Sequence, residues 1–320
     1  MPMKKEFSFL SADGSTQVYA VAWIPDAKPH AVLQLIHGLD EHVGRYAPFA
    51  EFMAEHGYVV VGNDHLGHGR TAAAEEDFGF FAEKGGWDLV LSDIHALREQ
   101  TGKEWPDLPY FMLGHSMGSF LLRSYIIRWP GDIFGAVISG TGQMARPVVA
   151  AGRALARTEI RLHGPKVRSM KLYNLSFGAY NKRFQPIRTE RDWLSRDTEI
   201  VDANIADPFC GHVFTASLFR DMLGGIAYNR KPKNLRRMDR HLRVLFIAGD
   251  SDPVGDFGRG VTASYNSFVK TGMRHVRMRL FKDCRHEVLN ELNRGEIWGF
   301  VLGWAEHRME KKFGVREELR

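Results

Sequence analysis

Apolar positions along the chain follow two rhythms that alternate. Short runs rich in β-branched and aromatic residues occur at 5–10, 16–24, 31–36, 58–62, 110–113, 135–139, 243–248 and 276–281. Stretches with apolar residues at three- and four-residue spacing lie between them, at 46–56, 86–101, 119–129 and 296–312. The first kind predicts strands and the second predicts helices. The first two strands flank Asp13-Gly14-Ser15 and are expected to form a hairpin. Most later strands are continuously apolar, as in a parallel sheet covered on both faces. The expected fold is α/β, a mostly parallel eight-stranded sheet with helices on both faces and right-handed crossovers. Gly102 is the expected stop of the second helix.

The alternation breaks once. From 141 to 235 helical periodicity continues without a convincing buried strand, through 144–162, 173–177 and 214–228. A loop of about 95 residues is too long for a compact domain. The stretch is therefore expected to be a helical cap, inserted into a core domain formed by 1–140 and 236–320, with 230–234 as its exit linker. Charge marks out the same region. Residues 141–240 hold 19 Lys and Arg against 9 Asp and Glu, whereas the remainder holds 24 against 29. The basic excess is consistent with a solvated helical surface, or with transient attraction to an anionic membrane surface or an acidic substrate group.

Composition is that of an ordinary globular protein, with 44% hydrophobic and 25% charged residues. Two cysteines, Cys210 and Cys284, cannot build a disulfide framework and are expected to be reduced and buried. No apolar run approaches the length of a membrane span, and no signal-peptide pattern is expected in the opening residues, which points to the cytoplasm.

The chemistry is concentrated at Gly114-His115-Ser116-Met117-Gly118, directly after one expected strand and before an expected helix. Gly-x-Ser-x-Gly in that context is a nucleophile elbow. A serine on so tight a turn holds strained backbone angles, and its neighbours must be small. A serine hydroxyl also needs a base, and the base needs an orienting carboxylate. Both should follow strands, at the same sheet edge as the serine. The strand at 243–248 leads into Asp250, Asp252 and Asp256. Asp252, deeper in the turn and preceding Pro253, is favoured, with Asp250 as runner-up. Of 14 histidines, His286 alone follows the last strand within a short loop. The oxyanion needs two backbone N–H donors, which are expected from Met117 at the helix start and from Leu39 after Gly38.

The motif set resembles that of a known family. The run from His37 to Tyr46, HGLDEHVGRY, is similar to a segment of monoacylglycerol lipases and bacterial lysophospholipases within the α/β-hydrolase fold. The resemblance continues through Asp64-His65-Leu66-Gly67-His68-Gly69, the serine pentapeptide, Gly249-Asp250-Ser251-Asp252 and the stretch from His286 to Glu291. It implies Ser116 as nucleophile, Asp252 as orienting acid, His286 as base, and Leu39 and Met117 as the oxyanion hole. Asp40 departs from the family's glycine. Its carboxylate is expected to face solvent or to pair with Arg45.

The expected activity is hydrolysis of a monoacyl ester, such as a monoacylglycerol or lysophospholipid, with no cofactor or metal. The alternatives are a peptidase or amidase of the same superfamily, resembling prolyl aminopeptidases, and a ligand-binding homologue without turnover. The peptidase needs acidic cap residues for the substrate amine, which the basic cap disfavours. Phe177, Tyr180 and Met222 are candidate acyl-pocket residues, along with Phe209, Phe214 and Phe219, although all could equally form the cap's own core. The His65 and His68 pair is read as a structural loop rather than a metal site, Cys284 as a packing residue, and the scattered arginines carry no nucleic-acid motif.

Overall fold

The computed structural model describes residues 2–313. Eight strands form one sheet: β1 (Met3–Leu10), β2 (Gln17–Ile24), β3 (Ala31–Ile36), β4 (Tyr58–Asn63), β5 (Tyr110–His115), β6 (Gly135–Ser139), β7 (Arg243–Gly249) and β8 (His275–Phe281). Their order is β1-β2-β4-β3-β5-β6-β7-β8. β1 and β2 pair antiparallel, as do β2 and β4, and every other pairing is parallel. The hairpin turn is closed by the Asp13 carboxylate, which accepts from Ser15 N and Thr16 N, while Gly14 takes φ 80°.

The continuous apolar runs have a direct cause. On β3, Val32 and Ile36 face one core while Leu33 and Leu35 face the other. β5 and β7 divide in the same way, with Met112 and Phe246 on the first side and Phe111 and Leu245 on the second. The first core is covered by α2 (Gly86–Glu104), α3 (Met117–Arg128) and α9 (Arg259–Lys270), the second by α1 (Ala47–Glu55) and α10 (Arg294–Phe313). Gln34 is a polar side chain buried in the first core. Both ends of its amide are engaged there, donating to the Ile94 carbonyl at 3.0 Å and accepting from the Tyr110 hydroxyl at 2.7 Å.

Several boundaries move by a few residues. α2 runs through Gly102 to Glu104, because Gly102 lacks the positive φ of a capping glycine. The helix stops at Trp105, whose extended φ of −129° is favoured by the following Pro106. α3 begins two residues earlier than expected, at Met117, which places the helix N-terminus directly after Ser116.

Between β6 and β7 the named elements are helical: α4 (Arg146–His163), α5 (Met170–Phe177), α6 (Thr198–Ala206), α7 (Ala216–Tyr228) and the single turn α8 (Pro232–Leu235), which overlaps the expected linker at 232–234. An isolated bridge joins Arg168 and Thr215. Side-chain oxygens of Ser169, Asp197 and Thr215 cap α5, α6 and α7. Phe219 and Phe214 belong to the buried core continuous with α2 and α3, while Phe209 lies beside His42 and Phe78.

Phe246 is fully buried and meets Phe268 edge to face, with centroids 5.1 Å apart. Phe246→Ala is expected to cost about 3–5 kcal/mol of stability. Urea denaturation would show a lower midpoint at an unchanged slope.

Candidate active site

The loops that carry the expected chemistry leave the C-terminal ends of β3, β5, β7 and β8, which is the sheet edge where α/β folds place ligands. Ser116 has φ 52° and ψ −118°, a conformation that non-glycine residues rarely adopt. Its amide donates to the Ser139 carbonyl at 3.0 Å, and its carbonyl accepts from Ser119 N at 2.9 Å. The flanking glycines have a steric cause. A Cβ on Gly118 would lie 2.0 Å from the Ile36 carbonyl oxygen, and one on Gly114 would lie 2.3 Å from the Gly118 carbonyl oxygen.

His286 is buried, and its Nδ1 lies 3.0 Å from both carboxylate oxygens of Asp252. Donation of Nδ1–H to that carboxylate leaves Nε2 as the basic nitrogen. Burial alone would lower the imidazole pKa. The charge and hydrogen bond of Asp252 outweigh it, and the net direction is upward from the ordinary histidine value. Asp252 also accepts from Val254 N at 2.8 Å. Asp250 lies elsewhere, accepting from Asp283 N, and Asp256 pairs with Arg259 at the surface. Among the described residues, Asp252 is the one of these three carboxylates hydrogen-bonded to His286.

The two acid-and-base loops are locked together. A Cβ on Gly249 would sit 1.9 Å from the Cys284 carbonyl oxygen, which also accepts from Ser251 N. Cys284 itself is buried, its thiol is pushed up to about 11 by burial, and it contacts Asn293. It behaves as a packing residue.

The loop from His37 to Leu39 is held from beneath. His37 Nε2 accepts from His65 N at 2.9 Å, so Nδ1 carries the proton and donates to the Gly38 carbonyl. His65 donates to the His37 carbonyl, and His68 donates to that of Leu66. Burial holds His65 down to about 3 and His68 down to about 4, so both rings are neutral. These bonds tie the histidines to the loop backbone. A different grouping, His42, Asp207 and Cys210, brings three potential metal-ligand atoms within 4.8 Å of one another. Burial pushes the Cys210 thiol up, and the nearby Arg45 guanidinium opposes a second cation. His42 and Asp207 already share a 2.9 Å hydrogen bond.

Met117 N–H is one of the four helix-start amides that a helix cannot pair internally. Leu39 follows Gly38, whose would-be Cβ lies 3.0 Å from Ser116 Cβ, so the loop passes directly against the serine. Gly38 N donates to Glu41 Oε1 at 2.5 Å, and Tyr46 donates to the same oxygen. Arg45 then bridges two buried carboxylates, with bonds of 2.7 and 2.8 Å to Glu287 and 3.2 Å to Glu41. Burial raises Glu41, while for Glu287 the Arg45 charge and hydrogen bonds overcome burial and lower it. The expectation for Asp40 is corrected. Arg45 is engaged elsewhere, and Asp40, at φ 63°, instead accepts from Arg191 at 2.7 Å and from His212 N at 2.9 Å. A carboxylate at this point has cationic and amide partners reaching down from the helical segment, so it is not free to face the serine unpaired.

Ser116, His286, Leu39 and Met117 line one cavity of about 670 Å³. Phe177, Tyr180 and Met222 line it too, as do Phe214, Leu172 and Trp193. Trp193 was not anticipated. Its ring centroid lies 5.2 Å from that of His286, and the Trp193 and Leu194 carbonyls accept from the amides of His286 and Glu287. Glu41 and Glu287 lay inside recognised motifs without an assigned role, and Arg45 was expected only as a partner of Asp40.

Residues 27–293 match the family model for serine aminopeptidase S33. The chain belongs to that family. The chain is 28% identical to a monoacylglycerol lipase of Mycolicibacterium smegmatis, over 94% of this chain and 96% of the relative. It is 34% identical to the phospholipase YtpA of Bacillus subtilis, over 86% of this chain and 95% of the relative. Among solved structures it is similar to a thermostable carboxyl esterase from Bacillus coagulans in complex with glycerol. The TM-score is 0.89 at 30% identity, covering 96% of this chain and 99% of that one. The α/β-hydrolase fold and hydrolase class expected from the motifs are those of this S33 member.

Removing the cation between two buried carboxylates leaves them uncompensated. Arg45→Met is expected to destabilise the protein by about 3–5 kcal/mol. Equilibrium unfolding in urea measures this, and an unchanged midpoint would contradict the bridging role.

Proposed function

We propose that this protein is a serine carboxylic-ester hydrolase acting through an acyl-enzyme on a monoacyl ester, such as a monoacylglycerol or a lysophospholipid. The observation that carries this reading is one cavity that joins a strained Ser116 and an Asp252-paired His286 to a predominantly apolar wall. Its volume of about 670 Å³ suits an acyl chain with a small head group. The names of the monoacylglycerol lipase, phospholipase and carboxyl esterase relatives support the same class.

In this reading Ser116 Oγ attacks the ester carbonyl carbon while His286 Nε2 takes its proton. The developing oxyanion receives hydrogen bonds from Leu39 N and Met117 N, and the start of α3 adds its positive end. The tetrahedral intermediate collapses, the leaving alcohol takes the proton from His286, and the acyl group stays on Ser116. Water, deprotonated by His286, then releases the acid. Asp252 holds the ring orientation and stabilises its cation. Residues 141–235 act as a cap over a core of 1–140 and 236–320, and the cap's basic excess favours transient contact with anionic lipid surfaces. Among the described residues no helix is long and apolar enough to cross a membrane.

The peptidase reading needs a carboxylate available to hold a substrate amine. Asp40, Glu41, Asp256 and Glu287 line the cavity paired with an arginine, whereas Glu190 lines it with no salt bridge among the described residues. The ester reading is therefore preferred on the names of the lipase and esterase relatives. Ser116→Ala is expected to lower turnover of monoacyl esters by about 10⁴-fold or more while leaving the fold intact. A mass-spectrometric panel of monoacylglycerols, lysophospholipids and aminoacyl-naphthylamides reads both claims. Faster amide than ester turnover would reverse the assignment.

The raised His286 pKa sets the sign of the pH dependence. The base works only when neutral, so kcat/KM should rise with pH through a midpoint above the ordinary value of about 6.5. Asp252→Asn removes the charge that raises the pKa but leaves the burial that lowers it. The residual activity of that variant should therefore have its acid limb displaced to lower pH, and stopped-assay pH profiles of the two proteins test the shift.

A further inference from the structure

A second cleft, of about 320 Å³, opens where α4 and α7 meet the start of α2 and the end of α3. Its lining includes Arg128, Arg153, Arg157 and Arg220 against two acids, Asp88 and Asp221. Both acids are already engaged. Asp88 accepts from Arg128, while Asp221 accepts from Arg220 Nε at 2.7 Å and from Gly86 N at 3.0 Å. Among the described residues Arg153 and Arg157 make no salt bridge. They lie one turn apart on α4, a spacing at which like charges repel. Two guanidinium nitrogens of the cleft, Arg153 Nε and Arg220 Nη2, are buried without a hydrogen-bond partner. Positive charge left without a carboxylate partner in a cleft favours an anionic ligand.

We infer that this cleft binds a phosphate group, held by Arg153 and Arg157 with Arg220 at its edge. Guanidinium forks match tetrahedral phosphate oxygens through paired donors. The surplus of two positive charges, left after Asp88 and Asp221 are subtracted, matches a phosphate monoester, which carries a charge of about −1.5 to −2 at neutral pH. The site lies outside the acyl cavity but shares a wall with it. Gly152, Met222 and Leu223 of the same two helices face the cavity, while Arg153, Arg157 and Arg220 face the cleft. An anion bridging α4 to α7 therefore fixes the spacing of two helices that wall the proposed acyl site. The inference does not depend on the ester reading, because its test measures binding rather than turnover.

Two sources could supply the group, a free phosphate compound or the head group of a phosphate-monoester lipid. The test is thermal unfolding of the full chain in inorganic phosphate, with chloride at equal ionic strength as the reference. The expected result is a saturable rise in unfolding temperature specific to phosphate. In the double variant Arg153→Gln, Arg157→Gln, half-saturation should move up by about tenfold or more. That variant should keep the chloride unfolding temperature and the hydrolysis rate for a short-chain ester, which shows that it is folded. Co-sedimentation with phosphatidic acid vesicles, against phosphatidylcholine vesicles, separates the sources. Loss of vesicle binding in the variant assigns the lipid head group, and no difference assigns a free phosphate compound. A phosphate effect no greater than that of chloride, or one of equal size in the double variant, would overturn the site.

Discussion

Gly118 brings the first turn of α3 against the carbonyls at the end of β3 so closely that a methyl group there would overlap the Ile36 oxygen. Nearly every feature of the site follows from that approach. It forces the chain to reverse within the residues from Gly114 to Gly118, and it leaves Ser116 in a left-handed conformation at the mouth of a cavity. It also brings the first turn of α3 against the His37 carbonyl, at the start of the loop after β3. The contact is made by backbone atoms, so no side chain can relax to relieve it, and the glycines are required rather than permitted.

The second tier of organisation is electrostatic, and it ties the proposed oxyanion loop to the base. Arg45 stands between Glu41, which holds Gly38, and Glu287, the neighbour of His286. The segment through Trp193 and Leu194 then reaches back to accept from the amides of His286 and Glu287. Asp40 adds a further tie through Arg191. The helical segment is therefore hydrogen-bonded to both loops that would carry the reaction, so a change in its position would be felt at the proposed nucleophile and base.

The parts of this arrangement visible in the sequence are those with a local signature. Strands β3, β5 and β7 alternate residues between two buried faces, and this appears as unbroken apolar runs at 31–36, 110–113 and 243–248. Gly-x-Ser-x-Gly is legible because its glycines answer to contacts within a few residues or to one adjacent strand. The pairing of Asp40 with Arg191, of Arg45 with Glu287, and the packing of Trp193 beside His286 were not legible. Arg191 lies far along the chain from Asp40, and Trp193 sits in a stretch with neither period nor motif. Pairings across such distances depend on how the helical segment folds back, which no local pattern encodes. Gly102 shows the converse failure, a glycine read as a stop that the structure keeps inside α2, because the following Trp105-Pro106 ends the helix instead.

The central claim is that the α3 start and the Leu39 loop together hold an oxyanion formed on Ser116, with the acyl chain in the cavity. A crystal structure of the protein after reaction with a long-chain monoacyl phosphonate tests it directly. The account predicts a phosphorus–oxygen bond to Ser116, the phosphonyl oxygen about 2.7–3.1 Å from both Leu39 N and Met117 N, and the alkyl chain against Phe177 and Met222. A phosphonyl oxygen bound by other donors, or an adduct on another residue, would contradict it.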